Sequence, residues 1–189
     1  MGALRKGRFA VIVSGGLLAA TILGAGIADG QLPMNVALSG QRFVGTMSAV
    51  EGESITVFPR QVATKAGQLP TVAILIESAR LTDVCLSTVA HGLPLVGDVT
   101  MFLRVPGDGT TARDLVVDAS VLGGSIGISN VEMGADVSAT GDVQGVVTSG
   151  MVAAESSMTG ARLEGVSLTA TSLSLRDFTI TSEMGAKSC

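Results

Sequence analysis

The stretch Val99-Thr-Met-Phe-Leu-Arg-Val-Pro-Gly-Asp-Gly109 decides how the rest of the chain is read. Val99, Met101, Leu103 and Val105 alternate with other residues, the period-two pattern of a strand buried on one face. Pro106-Gly-Asp-Gly109 then supplies turn residues, and Leu115 to Val117 resumes an apolar run, a combination that predicts a β-hairpin. Upstream, Thr71-Val-Ala-Ile-Leu-Ile76 is a nearly continuous apolar strand. Little of the chain beyond residue 28 shows a helical period, so a mainly β domain is expected.

Further along, Ala79-Arg-Leu-Thr-Asp-Val-Cys-Leu-Ser-Thr88 is echoed by Ala161-Arg-Leu-Glu-Gly-Val-Ser-Leu-Thr-Ala170. The second copy carries a five-residue beat through Met158, Leu163, Leu168, Leu173 and Phe178, and a similar beat joins Val116, Val121, Ile126 and Val131. Two arrangements account for such a rhythm. In an irregular β-solenoid over 114–182, each turn points one apolar side chain inward. In an antiparallel β-sandwich or barrel, the rhythm has no architectural meaning.

The amino-terminal end has a different character. Arg5, Lys6 and Arg8 precede an uncharged stretch from Phe9 to Ala28. Positive charge holds this end on the cytoplasmic side, and the stretch suits either a long signal peptide cut after Ala28 or a retained signal-anchor helix. Residues 1–28 are therefore expected to be a targeting segment and 29–189 one extracytoplasmic β-rich domain. Its outer-face location is the cell envelope, or the exterior if the segment is removed. Without the three leading cations, the exported part has 9 basic and 16 acidic residues, a formal charge of −7. With no Trp or Tyr, it offers neither a phosphate-binding surface nor a stacking platform for bases, and nucleic acid is excluded as a partner.

The two cysteines, Cys85 and Cys189, both lie in the exported part, where an even pair is expected to form a disulfide. Two distant sulfurs and the single histidine, His91, do not have the spacing of a zinc site. No metal or cofactor site is expected.

Gly123-Gly-Ser-Ile-Gly127 matches the Gly-x-Ser-x-Gly nucleophile elbow. That motif works between a strand and a helix, with its histidine later in the chain. Here no helical pattern follows, and His91 precedes Ser125, so no catalytic residue is assigned. Asp98 and Asp114 could orient a histidine, but acids this common say little. Asp114 and Asp118 flank an apolar strand at a spacing that shares a face, which reads as a solvated surface.

Val36-Ala-Leu-Ser-Gly40 with Phe43, Ala79-Arg-Leu-Thr-Asp-Val-Cys-Leu86, Asp114-Leu-Val-Val-Asp-Ala119 and Ile128-Ser-Asn-Val-Glu-Met-Gly134 carry a resemblance. Together they resemble an uncharacterised family of actinobacterial exported proteins, known as a domain of unknown function and sometimes labelled cholesterol esterase. The resemblance implies an envelope location and a small multi-pass membrane protein as neighbour or partner. The esterase label has no residue-level support in this chain. The expected function is a non-enzymatic envelope structural or adaptor protein that associates with itself or docks on a membrane protein. A binding module for a lipid or other apolar ligand is the alternative, and a serine esterase comes third.

Overall fold

Every strand pairing in the computed structural model is antiparallel. The structure describes residues 36–64, 67–138 and 149–189. The expected targeting segment, with Arg5, Lys6 and Arg8, lies outside the described residues. The strands are β1 (Val36–Thr64), β2 (Gly67–Thr82), β3 (Val84–Leu93), β4 (Gly97–Val105), β5 (Thr110–Asp136), β6 (Ser149–Ala170), β7 (Ser172–Leu175) and β8 (Thr179–Met184). The described residues contain no helix.

The mainly β reading holds, and of the two arrangements the antiparallel barrel is the one formed. Strand β1 pairs with β2, β2 with β5, β5 with β6, and β6 returns to β1, closing a ring. Beyond the ring, β3 pairs with β1 and β4, and β8 pairs with the far side of β4. The solenoid over 114–182 is not built, because its strands return on themselves instead of stacking in one direction.

Several strands are segments of longer ribbons. Leu81 faces Val50 and Cys85 faces Thr46, so β2 and β3 keep one register against β1 across a break at Asp83. Thr169 faces Val116 and Ser172 faces Arg113, so β6 and β7 likewise keep one register against β5. The same logic corrects the hairpin expected at Pro106–Gly109. Strand β4 runs beside β3 and β5 beside β2, with Val105 opposite Val84 and Thr110 opposite Leu81. The two strands flanking the turn do not pair with each other. They follow one another along the same neighbour, and the Pro-Gly-Asp-Gly sequence makes a detour within a ribbon.

Asp83 explains why the detour is stable. Its backbone is left-handed, at φ 51°, where aspartate is one of the better-tolerated residues. Its amide donates to the Gly107 carbonyl at 2.8 Å, while its carboxylate accepts from the Gly107 amide and from Ser48 Oγ, each at 2.8 Å. One aspartate thereby stitches the kink in β2–β3 to the detour in β4–β5.

Such breaks also account for the five-residue beat. In an unbroken strand, residues five apart point to opposite faces, and one extra residue between them restores a common face. Along β6 to β8, interruptions fall at Gly160, which has φ 60°, at Val166, which the ladders skip, at Thr171 between β6 and β7, and at 176–178 between β7 and β8. Met158, Leu163, Leu168 and Leu173 consequently all pack against one large cluster built around Phe43, Met47, Ile55, Ile76, Leu81, Leu115 and Val117. A skipped residue loses ladder bonding worth about 1 kcal/mol, whereas a leucine returned to the core recovers about 1.5–3 kcal/mol, so the break is favoured. The Ala-Arg-Leu repeat is the same device used twice. Ala79, Leu81 and Val84 are buried across the Asp83 break, and Ala161, Leu163 and Val166 across the Gly165 irregularity.

Phe43 sits opposite Gly165, and its ring occupies the space a Cβ there would need. Adjacent residues on β1 serve different cores. Val57 packs on the large cluster, while Phe58 joins Ala73 and Val137 in a smaller one on the opposite face.

Candidate functional site

Residues 185–189 leave β8 and cross the outer faces of β4 and β3. The Gly185 amide donates to the Asp98 carbonyl at 2.7 Å. Thr100 Oγ1 donates to the Gly185 carbonyl at 2.7 Å and accepts from the Lys187 amide at 2.9 Å. The Cys189 amide donates to Ser87 Oγ at 3.2 Å, and Arg162 donates to the Cys189 carbonyl at 3.0 Å. Thr100 and Ser87, polar residues that would open a strand face to water, are instead buried under this segment with Phe102. The crossing ends in the disulfide between Cys85 and Cys189, with Cα atoms 5.9 Å apart. The expected pairing is therefore present, and both described cysteines are consumed by it.

Beside this crossing is an open cleft enclosing about 370 Å³, lined by residues 41–44 of β1, Ser87, Val89 and His91 of β3, Ser120, Glu164 with Gly165, and Lys187. Beside it, β1 shifts register against β6 between Ser39 and Phe43. Its lining sets the apolar surface of Phe43, Val44 and Val89 beside the charged Arg42, Glu164 and Lys187. At its rim, His91 Nδ1 lies 3.1 Å from Asp98 Oδ2, and Asp98 Oδ1 accepts from the Gly92 amide at 2.9 Å. The Gly92 amide, then His91, hold the Asp98 carboxyl below the usual carboxylate range. Lys187 does the same for Glu183, across 2.8 Å.

The residues of the nucleophile-elbow match fall elsewhere. Ser125 stands opposite Thr159 in the β5–β6 ladder, with strand on both sides of it, and does not line the cleft that holds His91. Asp114 and Asp118 do not make the expected solvated face. Asp114 is exposed and accepts from Thr171 Oγ1 at 2.7 Å. Asp118 is fully buried and paired with Arg60 at 2.6 Å. Its other oxygen, Oδ1, is buried without a protein partner. Arg60 carried no signal in the sequence, because 58 residues separate it from Asp118 and only the register of β1, β2 and β5 brings them together.

The third feature is an edge. Strand β5 pairs with β2 only through Ala119, while its ladder with β6 continues to Asp136. From Ser120 to Asp136, the side of β5 away from β6 has no strand partner among the described residues. Val121, Leu122, Ile126, Val131 and Met133 on this stretch are 42–79% exposed. The stretch contains no Lys, Arg or Pro, the residues that blunt sheet edges in monomeric proteins. Its only charges are Glu132 and Asp136. A short bend comes at Gly124, where φ is 140° and the register against β6 shifts.

No curated protein and no solved structure is similar enough to this chain to match it. The model of one family matches residues 39–189, which takes in β5, the cleft and both cysteines. The chain therefore belongs to that family, DUF6230, a family of unknown function.

Proposed function

We propose that this protein is a non-enzymatic structural or adaptor protein of the cell envelope, exported or anchored through residues 1–28, with 29–189 outside the cytoplasmic membrane. The observation that carries the reading is the apolar, unblunted edge of β5 from Ser120 to Asp136. An unpaired edge offers backbone donors and acceptors to an incoming strand, and the exposed Val121, Ile126 and Val131 add apolar area to that contact. The disulfide supports an oxidising compartment. Its partners are the membrane, a multi-pass membrane protein or further copies of itself.

Two measurements test this. A reporter active only outside the cytoplasm, fused after Cys189, is expected to be active in cells; a reporter active only inside refutes the topology. Affinity purification from native membranes is expected to recover proteins with the wild-type chain that are lost with Val121→Lys combined with Ile126→Lys, at unchanged melting temperature. An identical set of recovered proteins removes the edge from the function.

The cleft supports a second reading, a binding module for a small amphipathic ligand, since Arg42 and Lys187 stand beside the apolar surface of Val44 and Val89. Lipid and metabolite mass spectrometry on the purified protein tests it, with Arg42→Ala as the comparison.

A further inference from the structure

We infer that the turn between β3 and β4, Gly92-Leu-Pro-Leu-Val-Gly97, is a tip that inserts into the lipid surface of the membrane. This rests on the proposed envelope location and names the part of the domain that meets the bilayer. Three observations lead there.

The first is the chemistry of the turn. All six residues are exposed and none has a polar side chain, whereas surface turns are ordinarily built from Gly, Pro, Asn, Asp and Ser. Leu95 is fully exposed and has a left-handed backbone, at φ 73°, a conformation that costs a leucine free energy. The fold nevertheless fixes it there, with Gly92 and Gly97 at φ 65° and 72° on either side and the Gly92 amide bonded to Asp98. A leucine held outward in this way gains no burial from its own chain.

The second is what lies behind the tip. Val99 stands opposite Met184 and Leu103 opposite Ile180, so with Met101 they share one face of the β4–β8 pair. The other face lies under residues 185–189. Met101, Ile180 and Met184 are 47–74% exposed, which continues the apolar surface of the turn along the sheet. Protein contacts set hydrogen-bonding groups around an apolar centre. No side chain from 92 to 97 can donate or accept a hydrogen bond, and an acyl layer asks for none.

The third is position. Strands β1 and β3 are antiparallel, with Phe43 opposite Thr88, so β3 runs on toward the tip in the direction in which β1 runs back toward Val36. Leu95 is seven residues beyond Thr88, and Val36 seven before Phe43. Tip and chain entry thus lie toward the same end of the sheet. Only residues 29–35 separate Val36 from the expected targeting segment, a reach of at most roughly 29 Å. The end of the domain that a retained anchor holds near the bilayer is the end that carries the tip. Charge does not do the holding. Residues 29–189 have 9 basic and 16 acidic residues, and the charges flanking the tip pair off, His91 with Asp98 and Lys187 with Glu183. Insertion is therefore apolar, to a depth of about 5–10 Å.

The chain contains no tryptophan, so a single added one reports its own surroundings. The test reconstitutes the full chain into phosphatidylcholine vesicles, with and without bromine on the upper acyl carbons, with tryptophan placed singly at Leu95, Val96, Ile180 and Asp108. Asp108 is the control because it lies beyond the opposite end of β4. Ile180, opposite Leu103, stands about 20 Å along the sheet from Gly97, beyond the insertion depth. Leu95→Trp and Val96→Trp are expected to show blue-shifted emission and to be quenched by bromine at least about threefold more than Asp108→Trp, with high salt leaving the difference unchanged. Ile180→Trp is expected to match Asp108→Trp.

Tip tryptophans quenched no more than Asp108→Trp overturn the insertion. Equal quenching at 180 and 95 overturns insertion by the tip and gives the contact to the whole β4–β8 face. Tip tryptophans that stay in water in vesicles but become shielded in native membranes also overturn it, and make the tip a protein contact. Purified lipid contains none of the proteins recovered through the β5 edge, so failure here leaves the adaptor reading standing, and failure of that reading leaves the vesicle result intact.

Discussion

Arg60 and Asp118 carry the largest single electrostatic stake in the described residues. Asp118 is fully buried with one oxygen on Arg60 and the other unpartnered, so Arg60→Ala leaves an uncompensated buried charge. It is expected to cost about 3–5 kcal/mol by chemical denaturation, with much of the loss recovered when Asp118→Asn is added. Neither residue stood out in the sequence, where Asp118 looked like one acid of a wet face. The cysteines were legible because they are the chain's two thiols, whereas an ion pair across three strands depends on register, which composition does not encode. Asp83 and Asp98 give a pH signature. Backbone amides of Gly107 and Gly92 respectively, with Ser48 and His91 as second donors, hold both carboxyls below the ordinary aspartate range. The unfolded chain therefore binds protons first as pH falls. The stabilisation from these groups is complete above about pH 4 and is lost as pH drops through their lowered folded values. Asp83→Asn is expected to flatten that acid limb in urea titrations taken between pH 5 and 2; an unchanged slope would remove Asp83 from the account.

Strands in this protein owe their length to being broken. Leu163 is 7% exposed and Phe178 is 53% exposed, although both lie on one five-residue beat. Leu163→Ala is expected to cost about 2–5 kcal/mol, and Phe178→Ala to stay within about 0.5 kcal/mol. Similar losses at both would mean the beat continues into the core through β8. The existence of strands was readable from alternation at Val99–Val105 and from the apolar run at Thr71–Ile76, but the buried face of β4 was not: Thr100 and Phe102 are buried under the 185–189 crossing while Met101 is 47% exposed. Their connection was not, because Pro-Gly-Asp-Gly is equally good chemistry for reversing a chain and for a detour within a ribbon. What chooses between them is Asp83, 24 residues before Gly107, whose carboxylate holds the detour in place. The repeat was likewise visible while its meaning was not. Ala-x-Leu-x-x-Val is the signature of a kinked strand with three inward residues, and two such strands cross one barrel without any turn-on-turn stacking.

At the scale of the whole molecule, the ring closes only when β6 reaches β1, with Val44 opposite Glu164, and the disulfide fastens Cys85 to Cys189 outside that ring. Cys85→Ser or Cys189→Ser is each expected to destabilise the β domain by about 2–5 kcal/mol, and the double variant to be little worse than either, since one bond is lost in every case. Clearly additive losses in thermal denaturation would show that each sulfur also contributes through packing. The sequence separation of 104 within that bridge has a further consequence, in time. At ordinary synthesis rates of about 5–20 residues per second, roughly 5–20 s pass between the emergence of the first thiol and that of its mate. Through that interval, a nascent chain carries one lone reactive sulfur, and the only identical sulfur within reach belongs to another nascent chain. Crowded production thus favours covalent mispairing before the second cysteine of any chain has emerged. A culture slowed at translation should yield cleaner monomeric bridges than one driven hard.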